Sequence, residues 1–169
     1  MKTRGGIITA AAMVAAILSA PFAHAADTKA DAFMHKAIEG NLAEIKVGQL
    51  AQQKGATEGV RNFGSVLERD HSAANSQAMS AASSMGVTPP SEPSPKERAE
   101  YDHLASLSGS RFDKAFVKAM VKDHEKDIVE YKREAKSGHG AASSYAQQSL
   151  PVLNKHLRLA ESLERHPSG

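Results

Sequence analysis

Four long segments of this 169-residue chain carry apolar residues at the three- and four-residue spacing of an α-helix. None of them shows the apolar–polar alternation of a half-buried strand. Glycine or proline separates each segment from the next, as is typical of helix ends. The spacing therefore predicts four long helices, over residues 29–54, 57–85, 112–136 and 141–165.

The connections between these segments differ in length. Gly55 separates the first pair, and a turn at residues 138–140 is predicted to separate the last pair. Between the two pairs, residues 87–95 (VTPPSEPSP) contain four prolines, and a short helix is predicted over 96–107, followed by a turn at 108–110. Two helical hairpins joined by a long connection predict an all-α, ferritin-like four-helix bundle with a Pro-rich crossover and a short helix between helices 2 and 3.

One residue interrupts the pattern of the fourth predicted helix. Pro151 lies inside it, and proline lacks the backbone N–H that an interior helical position donates. We therefore expect Pro151 to kink this helix or to split off its first turns.

The first 25 residues have the three parts of a secretory signal peptide. Lys2 and Arg4 form a basic start, residues 7–20 are apolar, and small residues flank a cleavage position after Ala25. The apolar run is shorter than the about 20 residues that a spanning helix needs. We expect cleavage after Ala25, export to the periplasm or another extracytoplasmic compartment, and one domain over residues 26–169 without a membrane span.

Composition excludes several classes of function. Of the 21 basic residues, Lys2 and Arg4 belong to the predicted signal peptide, so 19 remain against 19 acidic residues in a domain without tryptophan. Such a neutral surface argues against nucleic-acid binding. The chain has no cysteine, which excludes disulfides and thiolate metal ligands. Neither a nucleophile elbow nor a glycine-rich phosphate loop is present, so the sequence favours a protein that is not an enzyme.

Three histidines lie on the apolar stripes of three different predicted helices. His71 follows Leu67 by four residues, and His124 and His156 have the same kind of apolar neighbours, so each is expected to point inward. All three lie near mid-helix, and Glu44 of the first helix lies within about one helical turn of the same height. The remaining histidines are near helix ends or turns and are expected to be solvated. The sequence thus predicts that Glu44, His71, His124 and His156 converge in the bundle.

Three imidazoles and a carboxylate suit one transition-metal ion, with zinc, iron and copper favoured by the imidazoles. Glu68, Asp70 and Asp123 are predicted to accept hydrogen bonds from the imidazoles and so to orient them. The alternative is a structural layer of hydrogen-bonded histidines in a non-enzymatic envelope or stress-related protein that acts through unknown protein partners.

Four strings of the chain are similar to a known family. AEIKVGQLAQQKG, VRNFGSVLERDHSAAN, FDKAFVKAMVKDHEKDI and LPVLNKHLRLAESL resemble the exported, ferritin-like family catalogued as domain of unknown function 4142 (DUF4142). The resemblance implies a ferritin-like bundle in the periplasm or at the cell envelope, and no particular activity. Di-iron ferritin-like proteins use two Glu-x-x-His strings, whereas residues 68–71 form the only one here on a long helix. This difference from the di-iron pattern favours a site for a single metal ion.

Overall fold

A computed structural model describes residues 28–137 and 140–167, and this part of the chain is helical without any strand. Its five helices are α1 (Thr28–Lys54), α2 (Glu58–Ser84), α3 (Pro95–Ala105), α4 (Gly109–Ala135) and α5 (Ala141–Arg165). The predicted all-α helical bundle is confirmed. The predicted signal peptide and two residues of the predicted 138–140 turn lie outside the described residues, and the ferritin-like assignment stays a prediction.

Side chains and a glycine define the ends of α2. The Thr57 hydroxyl accepts a hydrogen bond from the Val60 backbone N–H, as an N-cap does. Asp113 of α4, which is buried, accepts two more from the N–H groups of Ala56 and Thr57, both at 2.9 Å. At the other end Gly86 has a φ of 74°, a conformation that glycine adopts without steric cost and that ends the helix.

The elements after the crossover differ in detail from the predicted ones. Ser94 and Glu97 form a capping box at the start of α3. α4 begins three residues before the predicted 112, because the Phe112 N–H bonds the Ser108 carbonyl at 3.4 Å and winds the predicted turn into the helix. α5 runs on through Pro151, which is exposed, so the prediction that the proline splits off the first turns is wrong. The residue whose carbonyl would accept from position 151 is Gln147, which is exposed.

α1 and α2 approach closely at a pair of glycines. A Cβ atom on Gly48 would lie 2.7 Å from the Gly64 carbonyl oxygen, and one on Gly64 would lie 2.6 Å from the Gly48 carbonyl oxygen. Only glycine permits this backbone contact. The contact sets the register of the first hairpin and therefore the heights of Glu44 and His71 relative to each other.

The four long helices are not packed evenly. α1 packs on α2, α4 on α5, and α2 on α5, whereas α1 and α4 touch each other much less. The short helix α3 contacts both α1 and α4 and lies over the gap between them. A cavity remains beneath α3 for this reason.

Two apolar clusters fill the bundle, with a polar layer between them. Along α2, for example, His71 lies between Leu67 of one cluster and Ala78 of the other. His124 lies in the same way between Met120 and Ile128 of α4. The layer contains the buried polar residues Asn41, Glu44, His71, His124 and His156. Among residues 28–137 and 140–167, none of the helices combines the length and the apolar composition of a membrane-spanning segment.

Candidate metal centre

The polar layer brings together three imidazoles from three helices. His71 of α2, His124 of α4 and His156 of α5 are 6%, 1% and 0% exposed. One ring nitrogen from each lies within 4.8 Å of the corresponding nitrogen of the other two. Their ring centroids are 5.2, 5.3 and 5.9 Å apart. The predicted convergence of the three histidines is therefore seen in the structure.

A backbone carbonyl orients His124. Its Nδ1 lies 2.9 Å from the Met120 carbonyl oxygen, one turn earlier in α4. A carbonyl oxygen only accepts hydrogen bonds, so Nδ1 carries the hydrogen and donates it. In the neutral ring the other nitrogen, Nε2, then carries a lone pair, and it points to the centre of the layer.

A carboxylate orients His156. Its Nε2 lies 3.0 Å from Oδ2 of Asp70. The same carboxylate forms ion pairs with Arg69, through Oδ1, and with Lys155, through Oδ2. Burial opposes ionisation of Asp70, but the hydrogen bonds from His156, Arg69 and Lys155 prevail and lower its pKa to about 2. The carboxylate is therefore an acceptor, Nε2–H of His156 donates to it, and the lone pair of the neutral ring is at Nδ1.

An amide orients His71. The Asn41 side-chain nitrogen donates to the Tyr145 hydroxyl at 2.9 Å, so its oxygen faces Nδ1 of His71 at 3.0 Å. Nδ1–H donates to that oxygen, which leaves a lone pair on Nε2. This Nε2 is buried and has no hydrogen-bond partner among the described residues. A buried polar atom without a partner costs roughly 1–3 kcal/mol, so its retention calls for an explanation.

The three imidazoles thus direct three lone pairs at one another. Nε2 of His124 and Nδ1 of His156 lie only 3.2 Å apart, and neither has a hydrogen to share in the neutral state. Only a proton or a metal ion relieves this repulsion. Burial lowers the pKa of all three rings, that of His124 to about 4, which disfavours the proton at neutral pH. Two nitrogens that share a tetrahedral zinc ion at 2.0–2.1 Å lie about 3.3 Å apart, close to the observed separation.

The other predicted site residues take different places. Asp70 accepts a hydrogen bond from an imidazole, as predicted. Glu68 instead accepts hydrogen bonds from Gln49 and Gln52, both at 2.7 Å, and touches no imidazole. Asp123 has no hydrogen bond to an imidazole in the described part of the chain. Glu44 is not one of the mutually close groups, and its role as a metal ligand stays a prediction.

Glu44 lines the cavity beneath α3, whose volume is about 280 Å³. It is 8% exposed, and its Oε2 has no hydrogen-bond partner among the described residues. Burial, with the charges of Asp123 and Asp127, raises its pKa well above the usual range. Burial likewise raises the pKa of Asp123 and of Asp127 to about 6. His71 is the member of the histidine trio that lines this cavity.

Sequence reasoning missed Asn41, Tyr145 and the acidic cavity. Asn41 lies three residues after the buried Ile38 and three before Glu44, so helical spacing alone places it on the inward face. Asp127 follows Asp123 by four residues, which places both carboxylates on one side of α4. No sequence feature predicts that α3 lines the cavity, because the sequence does not show where a crossover helix docks.

Comparisons with known proteins agree with this fold. The family model described as Domain of unknown function (DUF4142) matches residues 16–163. A crystal structure of a DUF305 fragment from Deinococcus radiodurans is similar, with a TM-score of 0.72 and 14% sequence identity over 82% of this chain and 97% of that one. At this identity the likeness shows the fold alone. No curated protein matches the sequence.

Proposed function

The chain belongs to the DUF4142 family, and we propose that it binds one transition-metal ion through His71, His124 and His156. One observation carries this proposal: in each ring, one nitrogen donates outward to a fixed acceptor while the other directs a lone pair at a shared centre. Metal-binding histidines are held in this way in proteins, with the outward hydrogen bond fixing the tautomer.

The donor set narrows the choice of ion. Three neutral imidazoles suit zinc, copper and iron better than magnesium or calcium, which prefer oxygen ligands. Three protein ligands also leave at least one coordination position for water or another ligand. A structural layer of histidines alone accounts less well for the geometry, since it leaves Nε2 of His71 without a hydrogen-bond partner in the part of the chain that the structure describes.

The test is metal binding by the purified protein after treatment with chelator and dialysis. We expect elemental analysis to find one Zn²⁺ or Co²⁺ per chain. The Co²⁺-loaded protein should show the absorption spectrum of a cobalt ion with a low coordination number. Replacing one ligand, in His124→Ala, should weaken binding by more than the about 10–100-fold that loss of an outer hydrogen-bond partner causes. His103→Ala is the matched control, because His103 is exposed on α3.

Circular dichroism separates loss of a ligand from loss of the fold. His71→Ala is a second test variant in case His124→Ala does not fold. Substoichiometric metal in the wild-type protein after reconstitution with zinc, copper and iron would overturn the proposal and leave the histidines as a structural layer.

We also propose that the protein works outside the cytoplasm, after removal of residues 1–25. The basic, apolar and small-residue parts of the first 25 residues support this. The mass of the protein recovered from its native host checks it: export with cleavage gives a chain that begins at Ala26, whereas an intact mass would contradict the proposal.

A further inference from the structure

The cavity beneath α3 has an excess of negative charge. Its lining includes seven carboxylates, among them Glu44, Glu100 and Asp127, and only three lysines. A cleft lined by one sign of charge concentrates counter-ions and speeds their arrival. The cavity is therefore suited to attract cations.

Two buried polar atoms that have no hydrogen-bond partner in the described part of the chain belong to residues that line this cavity. They are Oε2 of Glu44 and Nε2 of His71, in side chains that are 8% and 6% exposed. Oε2 of Glu44 is an oxygen atom at the cavity wall that can bind a cation. Nε2 of His71 is a ligand atom of the proposed metal centre. The acidic cavity thus leads from the carboxylates to one of the three imidazoles.

A second cavity, of about 150 Å³, also borders His71, but its lining includes no carboxylate among the described residues. Asn41, Tyr145 and Ser149 are among the residues that line it. Of the two cavities, only the one beneath α3 offers negative charge to an approaching metal ion.

The carboxylates are too far apart to chelate a bare ion. In the described part of the chain, the only group of three His, Asp or Glu ligand atoms within 4.8 Å of one another is the histidine trio. An ion in the acidic cavity must keep water between itself and some of the carboxylates, and about 280 Å³ is room for several water molecules.

From these observations we infer that the acidic cavity is an outer binding site for a hydrated divalent cation, held by Glu44, Glu100 and Asp127, through which the ion reaches His71. The outer site is inferred from the cavity and its charges alone. The transfer to His71 rests on the proposed function. Burial raises the pKa of Asp127 to about 6, and the neighbouring carboxylates reinforce it, although Lys126 pairs with Asp127 at 3.7 Å and lowers the pKa in part.

The outer site is tested without the inner one. In His124→Ala, which lacks an inner ligand, we expect weak Mn²⁺ binding, with Kd in the millimolar range, measured by the loss of the free-ion electron paramagnetic resonance signal. Adding Glu44→Gln should weaken that binding at least fivefold. Absence of Mn²⁺ binding, or binding that Glu44→Gln does not change, would overturn the outer site.

The route is tested by the rate of Co²⁺ or Zn²⁺ uptake in stopped-flow mixing. The combined variant Glu44→Gln, Glu100→Gln and Asp127→Asn should take up the ion about tenfold more slowly, and its rate should depend less on salt. The control replaces the same number of carboxylates outside the cavity, at exposed residues, with Asp102→Asn, Glu125→Gln and Glu164→Gln. Equal rates in the two variants would overturn the route.

The two proposals can fail separately. Stoichiometric metal at the histidines with unchanged uptake rates overturns the route and leaves the metal centre in place. Mn²⁺ binding at the cavity without any metal at the histidines supports the outer site and contradicts the proposed function.

Discussion

Asp70 of α2 and His156 of α5 are joined by a 3.0 Å hydrogen bond between Oδ2 and Nε2. This bond connects the two helical hairpins at the level of the polar layer. It also decides which nitrogen of His156 faces the centre, because an ionised carboxylate accepts and never donates. The position of the lone pair on His156 therefore depends on a residue of another helix.

Asp70→Ala should weaken metal binding by about 10–100-fold, as expected for loss of the acceptor that orients a ligand. Asp70→Asn keeps an oxygen acceptor and should bind more tightly than Asp70→Ala. Competition with a chromophoric chelator measures both affinities. Asp102→Asn, at an exposed position of α3, is the control. If Asp70→Ala binds metal as the wild-type protein does, the hydrogen bond does not orient a metal ligand.

Acid should destabilise the metal-free protein through its buried histidines. The pKa of His124 in the fold is about 4, below the ordinary 6.5, because burial disfavours the charged ring. The unfolded chain therefore binds more protons than the fold between these values, so stability is full above pH 6.5 and falls as the pH drops toward 4. The loss from His124 alone is of order 3 kcal/mol.

Thermal melting between pH 7 and 4.5, with and without Zn²⁺, measures this dependence. Zn²⁺ should raise the melting temperature at pH 7, and its effect should fade as protons displace it. Identical melting curves in the two series would show that the histidines bind no metal. The raised pKa values of Glu44, Asp123 and Asp127 act in the opposite direction over this range, so the rings are read from the difference between the wild-type protein and His124→Ala. A fall with acid that is no larger in the wild-type protein than in His124→Ala would contradict the buried, neutral state of the rings.

Asp127→Asn should stabilise the metal-free protein at pH 7. The raised pKa of about 6 means that the fold holds a proton more tightly than the unfolded chain does, so stability falls as the pH rises from about 4 to 6. The neutral amide avoids this loss. Because the side chain is about one-third exposed, the gain is about 1 kcal/mol and should vanish near pH 4. Urea unfolding at the two pH values measures it, and a gain independent of pH would contradict the argument.

Gly48→Ala should destabilise the protein by at least about 2 kcal/mol, since the added Cβ would lie 2.7 Å from the Gly64 carbonyl oxygen and 2.9 Å from the Glu68 nitrogen. Gly40→Ala is the matched control in the same helix. Its Cβ would meet nothing closer than 4.0 Å, and alanine favours the helix by roughly 0.5–1 kcal/mol. Denaturant unfolding of both variants measures the change in the free energy of unfolding, which should be negative for Gly48→Ala and positive for Gly40→Ala. An unchanged free energy of unfolding in Gly48→Ala would show that α1 and α2 can separate at this point.

Much of the fold follows from local pattern. Apolar spacing predicts the helices because burying one stripe is what stabilises a helix in a small domain. The ends were less predictable. α4 begins at Gly109 rather than Phe112 because one extra turn forms over the Ser108 carbonyl, and local propensity does not decide between a turn and a first helical turn.

The site was predictable to the level of helix face and height. His71, His124 and His156 share the inward face of their helices, and similar distances from the connecting turns place them near one level. That is enough to bring the rings together. It does not choose a rotamer, a tautomer or an acceptor, because each depends on groups from other helices.

On α1 the sequence alone could not decide which polar residue meets His71. Asn41 and Glu44 lie three residues apart on one face, about 4.5 Å along the axis. The packing of Gly48 against Gly64 sets the offset between α1 and α2, and with that offset Asn41 bonds His71 while Glu44 lines the cavity. The periodic sequence thus determined the helices and their buried faces. The register of the hairpin and the docking of α3 came only from the tertiary structure, since both depend on contacts between segments that helical periodicity does not encode.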